Sequence, residues 1–259
     1  MTERAGERAR ERAGERGPWP LGPLGLPLRT AATGIPRVAV LGLARSGLAA
    51  ARLLLERGCR VELLDLRRPE GEEALLRELA ARGADLRLGP HDPGRLEACD
   101  LIVKSPGVPG GVPFLQAAAA RGVPVISELE LAYHAARGPI LAITGTNGKS
   151  TTTAWAGDML QRDGRPALVV GNIGRAMCDG VLEDPDAVFV CEVSSFQLED
   201  VRAFRPRVGV LLNFTADHLD RHGTLEAYLE AKLRLFDRQE EEDLAIFGPD
   251  EALPRAAAG

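Results

Sequence analysis

The stretch "ITGTNGKSTTT" (residues 143–153) places Gly145, Gly148, Lys149 and Ser150 directly after the apolar run "PILAIT". Glycines at these places free the backbone to aim N–H groups at phosphate oxygens. Lys149 can balance their charge, and the hydroxyl of Ser150 or Thr151 can ligate magnesium. The spacing follows a G-x-x-x-x-G-K-[ST] phosphate loop, except that Ile143 stands at the first glycine position. The residues therefore predict a triphosphate cradle of an unusual pattern.

Three further groups have chemistry to offer. Glu192 ends the apolar run "AVFVCE"; an acid at the carboxyl end of a strand beside a phosphate loop can give a cation the oxygen ligand it needs, the alternative being an edge-of-strand salt bridge. Lys232 falls on the apolar stripe of "TLEAYLEAKLRLF" (224–236), with Leu225, Tyr228, Leu229, Leu235 and Phe236, on a helix that Thr224 can cap. Burial lowers a lysine's pKa, and a neutral amine reacts with CO2 to give a carbamate, turning a base into an oxygen ligand. The alternative is a lysine snorkelling from the margin of the stripe. Asp217, His218, Asp220 and His222 cluster in "NFTADHLDRHG" (213–223). Such a group can make a metal site, although histidines in loops are more often surface residues; His222 is read as one, and His218 stands between the two readings.

Upstream, "VAVLGLARSGLAA" (38–50) joins a strand to a helix through Gly42 and Gly47, as a dinucleotide fingerprint does, with Ala44 at the middle glycine position. Ala44 argues against ordinary NAD binding and leaves a helix N-terminus for a phosphate, the alternative being a plain tight turn. Asp65 ends the next strand, about where a ribose-binding carboxylate would stand. "SPG" (105–107) is a second glycine turn after a strand. All three should meet at the carboxyl edge of one sheet.

The elements that must position these residues alternate. "RVAVLG", "RVELLD", "DLRL", "DLIVKS" and "VPVIS" read as strands, with helices over 46–57, 72–82 and 112–121 stopped by Gly58, Gly83 and Gly122. This unit ends near Arg137-Gly138-Pro139. A second series runs through "PILAITG", a helix to about Asp163, "PALVVGNIG", "DAVFVCEVSS", "PRVGVLLNFT" and "DLAIFG". Trp155, Met159 and Leu160 are expected to face the sheet from that helix. The series stops at Gly259 after a strand, so the sheet is expected to be unfinished. Alternation of this kind means α/β units around parallel sheets.

The chain has 259 residues, 45% hydrophobic and 4% aromatic, with a net charge of −5. That is enough apolar material for two modest cores, and it gives no basic footprint for nucleic acid; small, anionic, metal-chelated substrates are expected. Cys59, Cys99, Cys178 and Cys191 form no C-x-x-C pair, which favours a reducing compartment over zinc or disulfides. No apolar run is long enough to span a membrane and the start lacks a signal-peptide pattern, so a soluble, unexported protein is expected. Residues 1–36, with "ERAGER" at 3–8 and 11–16 followed by a Pro/Gly/Leu-rich stretch, read as a disordered tail or a start-codon error.

Together these residues resemble the Mur ligase family, ATP-dependent enzymes that build the peptide stem of peptidoglycan and whose phosphate loop reads T-G-T-N-G-K-[ST]. "GNIG" (171–174), "EVSSFQLE" (192–199), "DHLDRHG" (217–223) and "AYLEAKLRLF" (227–236) match in the same order. "SSFQLE" with "GKST" is most similar to the branch that adds D-glutamate; a branch adding a dicarboxylic amino acid or lysine more usually has histidine where this chain has Phe196. The resemblance implies a Rossmann-like UDP-substrate domain over 37–137, followed by a P-loop-type α/β ATP-binding domain over 138–259. That second domain would be incomplete at its C-terminus, and the amino-acid-binding third domain absent.

It implies ATP, two magnesium ions, UDP-N-acetylmuramoyl-L-alanine and D-glutamate as ligands, in the cytoplasm, through an acyl phosphate. Gly145, Thr146, Asn147, Gly148, Lys149, Ser150 and Thr151 would hold the triphosphate. Ser150 or Thr151 with Glu192 would hold one magnesium, and His218 with a carbamate on Lys232 the other, so that Lys149, Lys232 and His218 form the catalytic group. Asn172, Ser194 and Asp217 would orient the substrate, with Ser46, Asp65, Arg67, Ser105 and Gly107 at its UDP end. Alternatives are a fragment that binds nucleotide or UDP-sugar without turnover, and a sister ligase adding another amino acid.

Overall fold

The computed structural model describes residues 35–90 and 93–249; the expected tail, apart from Ile35 and Pro36, and the segment from 250 onward lie outside the described residues. The chain divides between Ala135 and Ala136 into two compact units, each built on a five-stranded parallel sheet.

In the first unit β1 (Arg37–Leu41), β2 (Arg60–Asp65), β3 (Asp85–Leu88), β4 (Leu101–Lys104) and β5 (Val125–Ser127) pair in the order β3-β2-β1-β4-β5. The helices between them are α1 (Arg45–Glu56), α2 (Glu73–Ala81), α3 (Pro93–Glu97), α4 (Pro113–Ala120) and α5 (Glu128–Ala135). Strand β1 is central, and its run Val38, Ala39, Val40 and Leu41 is buried, as a strand covered by helices on both faces requires. On one face Ala39, Leu41 and Ile102 pack with Leu115 and Ala118 of α4. The expected stops Gly58, Gly83 and Gly122 all take positive φ, which lets the chain leave each helix sharply.

In the second unit β6 (Ile140–Thr144), β7 (Ala167–Gly171), β8 (Val188–Glu192), β9 (Val208–Leu211) and β10 (Leu244–Phe247) pair in the order β10-β9-β6-β8-β7. The helices are α6 (Lys149–Arg162), α7 (Met177–Glu183), α8 (Ser195–Leu198), α9 (Leu219–His222) and α10 (Leu225–Leu233). Ile143, Ala167, Val190 and Val210 form the core under α6.

One expectation fails here. Trp155 and Met159 are each 70% exposed, and α6 meets the sheet through Thr153, Ala156 and Gly157 together with the expected Leu160. A side chain on Gly157 would collide with Val169, so helix and sheet approach closely along the small residues and the large ones turn outward.

Candidate functional site

Strand β6 lies between β8 and β9, so the loop leaving it emerges where the winding of the sheet reverses, with the ends of those two strands on either side. The loop turns through Gly145 at φ +150° and Gly148 at φ +80°, and a side chain on Gly145 would press on Leu212. Both glycines are therefore required by backbone geometry. Lys149 folds back over the loop, donating to the carbonyls of Gly145 at 3.0 Å and Thr146 at 2.8 Å.

Glu192, at the end of β8, is 1% exposed. Its Oε2 accepts from Ser150 Oγ at 2.7 Å and its Oε1 from Asn172 Nδ2 at 2.7 Å. Both donors are neutral, so the carboxylate is held in place while keeping its charge for a cation, unlike the salt bridge that the sequence left open. The structure thus brings together Lys149, Ser150, Glu192 and Asn172. Beneath them Thr144 Oγ1 is buried with no hydrogen-bond partner among the described residues, a polar atom orphaned at the foot of the loop.

Lys232 is also 1% exposed, which excludes snorkelling. Its Nζ donates to the Gly145 carbonyl at 2.8 Å and lies 4.6 Å from the centre of the Tyr228 ring. Burial, aided by the positive charge of Lys149 and opposed by Asp217, pulls its pKa down to about 7. Leu225 of the predicted stripe is exposed, while Tyr228, Leu235 and the unforeseen Ala231 and Leu233 are buried.

His218 takes left-handed backbone angles, φ 50° and ψ 32°. Its Nε2 lies 3.4 Å from Asp217 Oδ2, and its ring packs 5.0 Å from Phe196 and 6.2 Å from Tyr228. Lys232 and His218 therefore border the same tyrosine. His222 corrects the surface reading: its side chain is 5% exposed, its Nε2 is 3.0 Å from Ser195 Oγ, and its ring stacks on Phe196 at 5.2 Å. The single turn α9 folds onto α8, and desolvation lowers the histidine's pKa. Ser194 caps α8 reciprocally with Gln197, whose amide donates to Ser194 Oγ and whose Oε1 accepts from the Ser194 amide.

The sequence reading gave no functional role to Asn213, Thr215 or Tyr228, which hold the loop from the β9 side. Asn213 Oδ1 accepts the amides of Thr146 and Asn147, Thr215 exchanges hydrogen bonds with the Thr146 hydroxyl, and Tyr228 bonds to the same hydroxyl. Their only signal was position just after a strand or on the lysine's stripe; that β9 neighbours β6 is not written in any local pattern.

In the first unit the glycine turns meet as expected. Ser105 Oγ donates to the Gly42 carbonyl at 2.7 Å, and a side chain on Gly47 would collide with that same carbonyl. Asp65 accepts the amides of Leu43 at 2.7 Å and Arg67 at 3.1 Å, pinning the turn after β1 to the end of β2. A carboxylate has more acceptor sites than these two bonds use. Ser46 is half-buried, while the backbone at Gly107 and the side chain of Arg67 are exposed.

Among the described residues no three His, Cys, Asp or Glu side chains group as a metal site, and no helix is long and apolar enough to cross a membrane.

Comparison with known proteins follows the same division. Residues 36–127 match the family model "Mur ligase MurD-like, N-terminal domain" and residues 143–258 match "Mur ligase middle domain". A protein of Pelotomaculum thermopropionicum named UDP-N-acetylmuramoylalanine--D-glutamate ligase is 47% identical over 218 residues, which are 84% of this chain and 48% of that protein. One of the same name from Anaeromyxobacter dehalogenans is 50% identical over 227 residues, 86% of this chain and 48% of the relative. The chain spans about half the length of the curated relatives it matches. The crystal structure of UDP-N-acetylmuramate:L-alanyl-gamma-D-glutamyl-meso-diaminopimelate ligase from Neisseria meningitides superposes with a TM-score of 0.58 at 22% identity, covering 86% of this chain and 74% of the other, a likeness of fold. With the loop, its acidic partner and both family matches in place, the chain belongs to the Mur ligase family, with a MurD-like first unit.

Proposed function

We propose that this chain works as an ADP-forming amide ligase, joining D-glutamate to UDP-N-acetylmuramoyl-L-alanine in the cytoplasm. The observation that carries this reading is Glu192, buried and held by Ser150 and Asn172 beside the glycine loop. The curated relatives named for that reaction support it.

The residues fit the ligands that such a reaction needs. Magnesium binds through one or two carboxylates plus substrate phosphates rather than in an all-protein cage. One carboxylate and one hydroxyl, Glu192 and Ser150, meet that demand, and Thr144 Oγ1 lacks a partner where the loop begins. Bound magnesium would offset the charge that opposes a carboxylate approaching a triphosphate. Lys149 would leave the loop carbonyls for the phosphate oxygens. Asn172 orients Glu192, and Ser194, Asp217 and the first unit's Ser46, Asp65, Arg67, Ser105 and Gly107 would bind the UDP-sugar substrate.

The substrate's alanyl carboxylate attacks the γ-phosphorus, giving an acyl phosphate and ADP. The amine of D-glutamate then attacks the acyl carbon, phosphate leaves, and the amine's proton passes to solvent or a base. Lys232 is the residue for carbamate formation: with its pKa lowered to about 7, about half of the amine is neutral at neutral pH, and its addition to CO2 gives a carbamate and a proton. The carbamate and His218 would hold the second magnesium.

The test is phosphate release by the chain given MgATP, UDP-N-acetylmuramoyl-L-alanine and D-glutamate. Release that requires all three supports the reading. Release that requires a diamino acid instead places the chain with a sister ligase. MgATP binding with no release under any amino acid makes it a binding fragment.

A further inference from the structure

Asn213 follows β9, yet its side chain belongs to the phosphate loop. Oδ1 accepts the Thr146 amide at 3.1 Å, which it shares with the backbone carbonyl of Asn213 at 3.1 Å, and the Asn147 amide at 2.9 Å, and Nδ2 donates to the Asn147 carbonyl at 2.9 Å. Two residues on, the Thr215 amide donates to Thr146 Oγ1 at 3.0 Å, and that hydroxyl donates to the Thr215 carbonyl at 3.1 Å. The first half of the loop is tied to β9's exit by side chain and backbone together.

This bears on the missing first glycine. Ile143 is not part of the loop at all: it is a buried residue of β6, in register with Glu192 on one side and Val210 on the other. The strand therefore runs past the point where a standard loop begins to wrap the phosphates. The amides of Thr146 and Asn147, which a standard wrap would turn toward an anion, are already occupied by Asn213. What remains is Gly148 and the first turn of α6, whose amides at Lys149, Ser150 and Thr151 have no partner one turn back.

We propose that Asn213 is a positioning residue for the phosphate loop: its side chain fixes Thr146 and Asn147 and leaves triphosphate binding to the backbone from Gly148 onward. This narrows the span 145–151 that the sequence assigned to the phosphates, and it rests on the nucleotide reading above.

Titration calorimetry with MgATP, joined to amide hydrogen exchange at Thr146 and Asn147, tests it on the full chain. In Asn213→Ala the Asn147 amide loses protection, the Thr146 amide keeps the backbone carbonyl of residue 213 and loses less, and MgATP affinity falls by about tenfold or more, while the thermal midpoint shows a folded protein. Asn213→Asp keeps the accepting oxygen, so protection of both amides persists even though the added charge weakens binding. If Asn213→Ala does not fold, the aspartate variant decides: protection lost at either amide overturns the proposal. Unchanged protection at Asn147, or unchanged affinity, in a folded Asn213→Ala overturns it as well. Failure of the unsubstituted chain to bind MgATP overturns the nucleotide reading and this proposal together, so the two failures are distinguishable.

Discussion

The amine of Lys232 and the amine of Lys149 donate to one oxygen, the Gly145 carbonyl, at 2.8 Å and 3.0 Å. Two ammonium groups sharing an acceptor repel, and the buried one has less water to soften the repulsion. The pair therefore rests most easily with Lys232 neutral, which agrees with its lowered pKa.

That pKa makes stability depend on pH in a definite sense. The folded value is about 7 against an ordinary 10.5, so between these limits the unfolded chain holds the proton and the folded chain does not. Stability must rise with pH across that window, and below about pH 7 the full penalty of a buried ammonium is present. Lys232→Met should accordingly be more stable than the parent at pH 6, by about 1–3 kcal/mol, with the advantage shrinking toward pH 10. Urea midpoints of both proteins at pH 6, 8 and 10 check this; a pH-independent difference would rule out the titration.

Glu192 should matter for magnesium more than for the nucleotide itself. Glu192→Gln keeps the size but removes the charge, and one of its two positions then offers a donor to Ser150 or Asn172, which already donate there. MgATP affinity is expected to fall by about tenfold, with ATP binding in EDTA little changed. Calorimetry with and without magnesium separates the two, and equal losses in both conditions would count against a metal role.

In the first unit the sharpest constraint is steric. Gly47 sits on the first turn of α1 where any side chain would meet the backbone carbonyl of Gly42 and crowd Ser105 Oγ, and neither is the far end of a flexible side chain. Gly47→Ala should destabilise this unit by about 2–4 kcal/mol, with loss of UDP-sugar binding, while the second unit keeps its MgATP affinity. Urea unfolding followed alongside MgATP titration tells a local collapse from a global one.

Much of this was legible because parallel α/β folds write themselves locally. Short strand-forming runs gave all ten strands, β1 to β10, glycine stops gave helix ends, and a strand running into "TGTNGKS" gave the loop and its neighbouring acid. Strand order was not legible, since nothing in a strand's own residues says which other strand lies beside it. That is why Asn213 and Thr215, which act only because β9 lies beside β6, went unnoticed. Trp155 failed for a different reason: size suggested the packed face, but the close approach at Gly157 decided it. His222 failed because the partners that bury it, Ser195 and Phe196, come from an earlier turn.

Those same contacts lead to a final prediction. Phe196 carries three groups from α9 and its cap: the His222 ring stacks on it, His218 packs 5.0 Å away, and the Arg221 guanidinium lies 4.4 Å over its face. Glu199 accepts from Arg221 at 2.9 Å, so the turn of α8 grips α9 by ring and by charge. His218 is the one non-glycine residue with positive φ among the described residues, a conformation that costs about 1–2 kcal/mol and persists only where surroundings impose it. Phe196→Leu removes the ring but keeps the bulk. It should lower stability by about 1–2 kcal/mol and admit water to His222, whose pKa burial now depresses. The measurement is the titration of the imidazole C–H signals by NMR: His222 should move up toward the ordinary histidine value in the variant. If His222 titrates identically in both proteins, the ring is not what shields it, and α9 is held by the contacts of Glu199 and Ser195 with Arg221 and His222 instead.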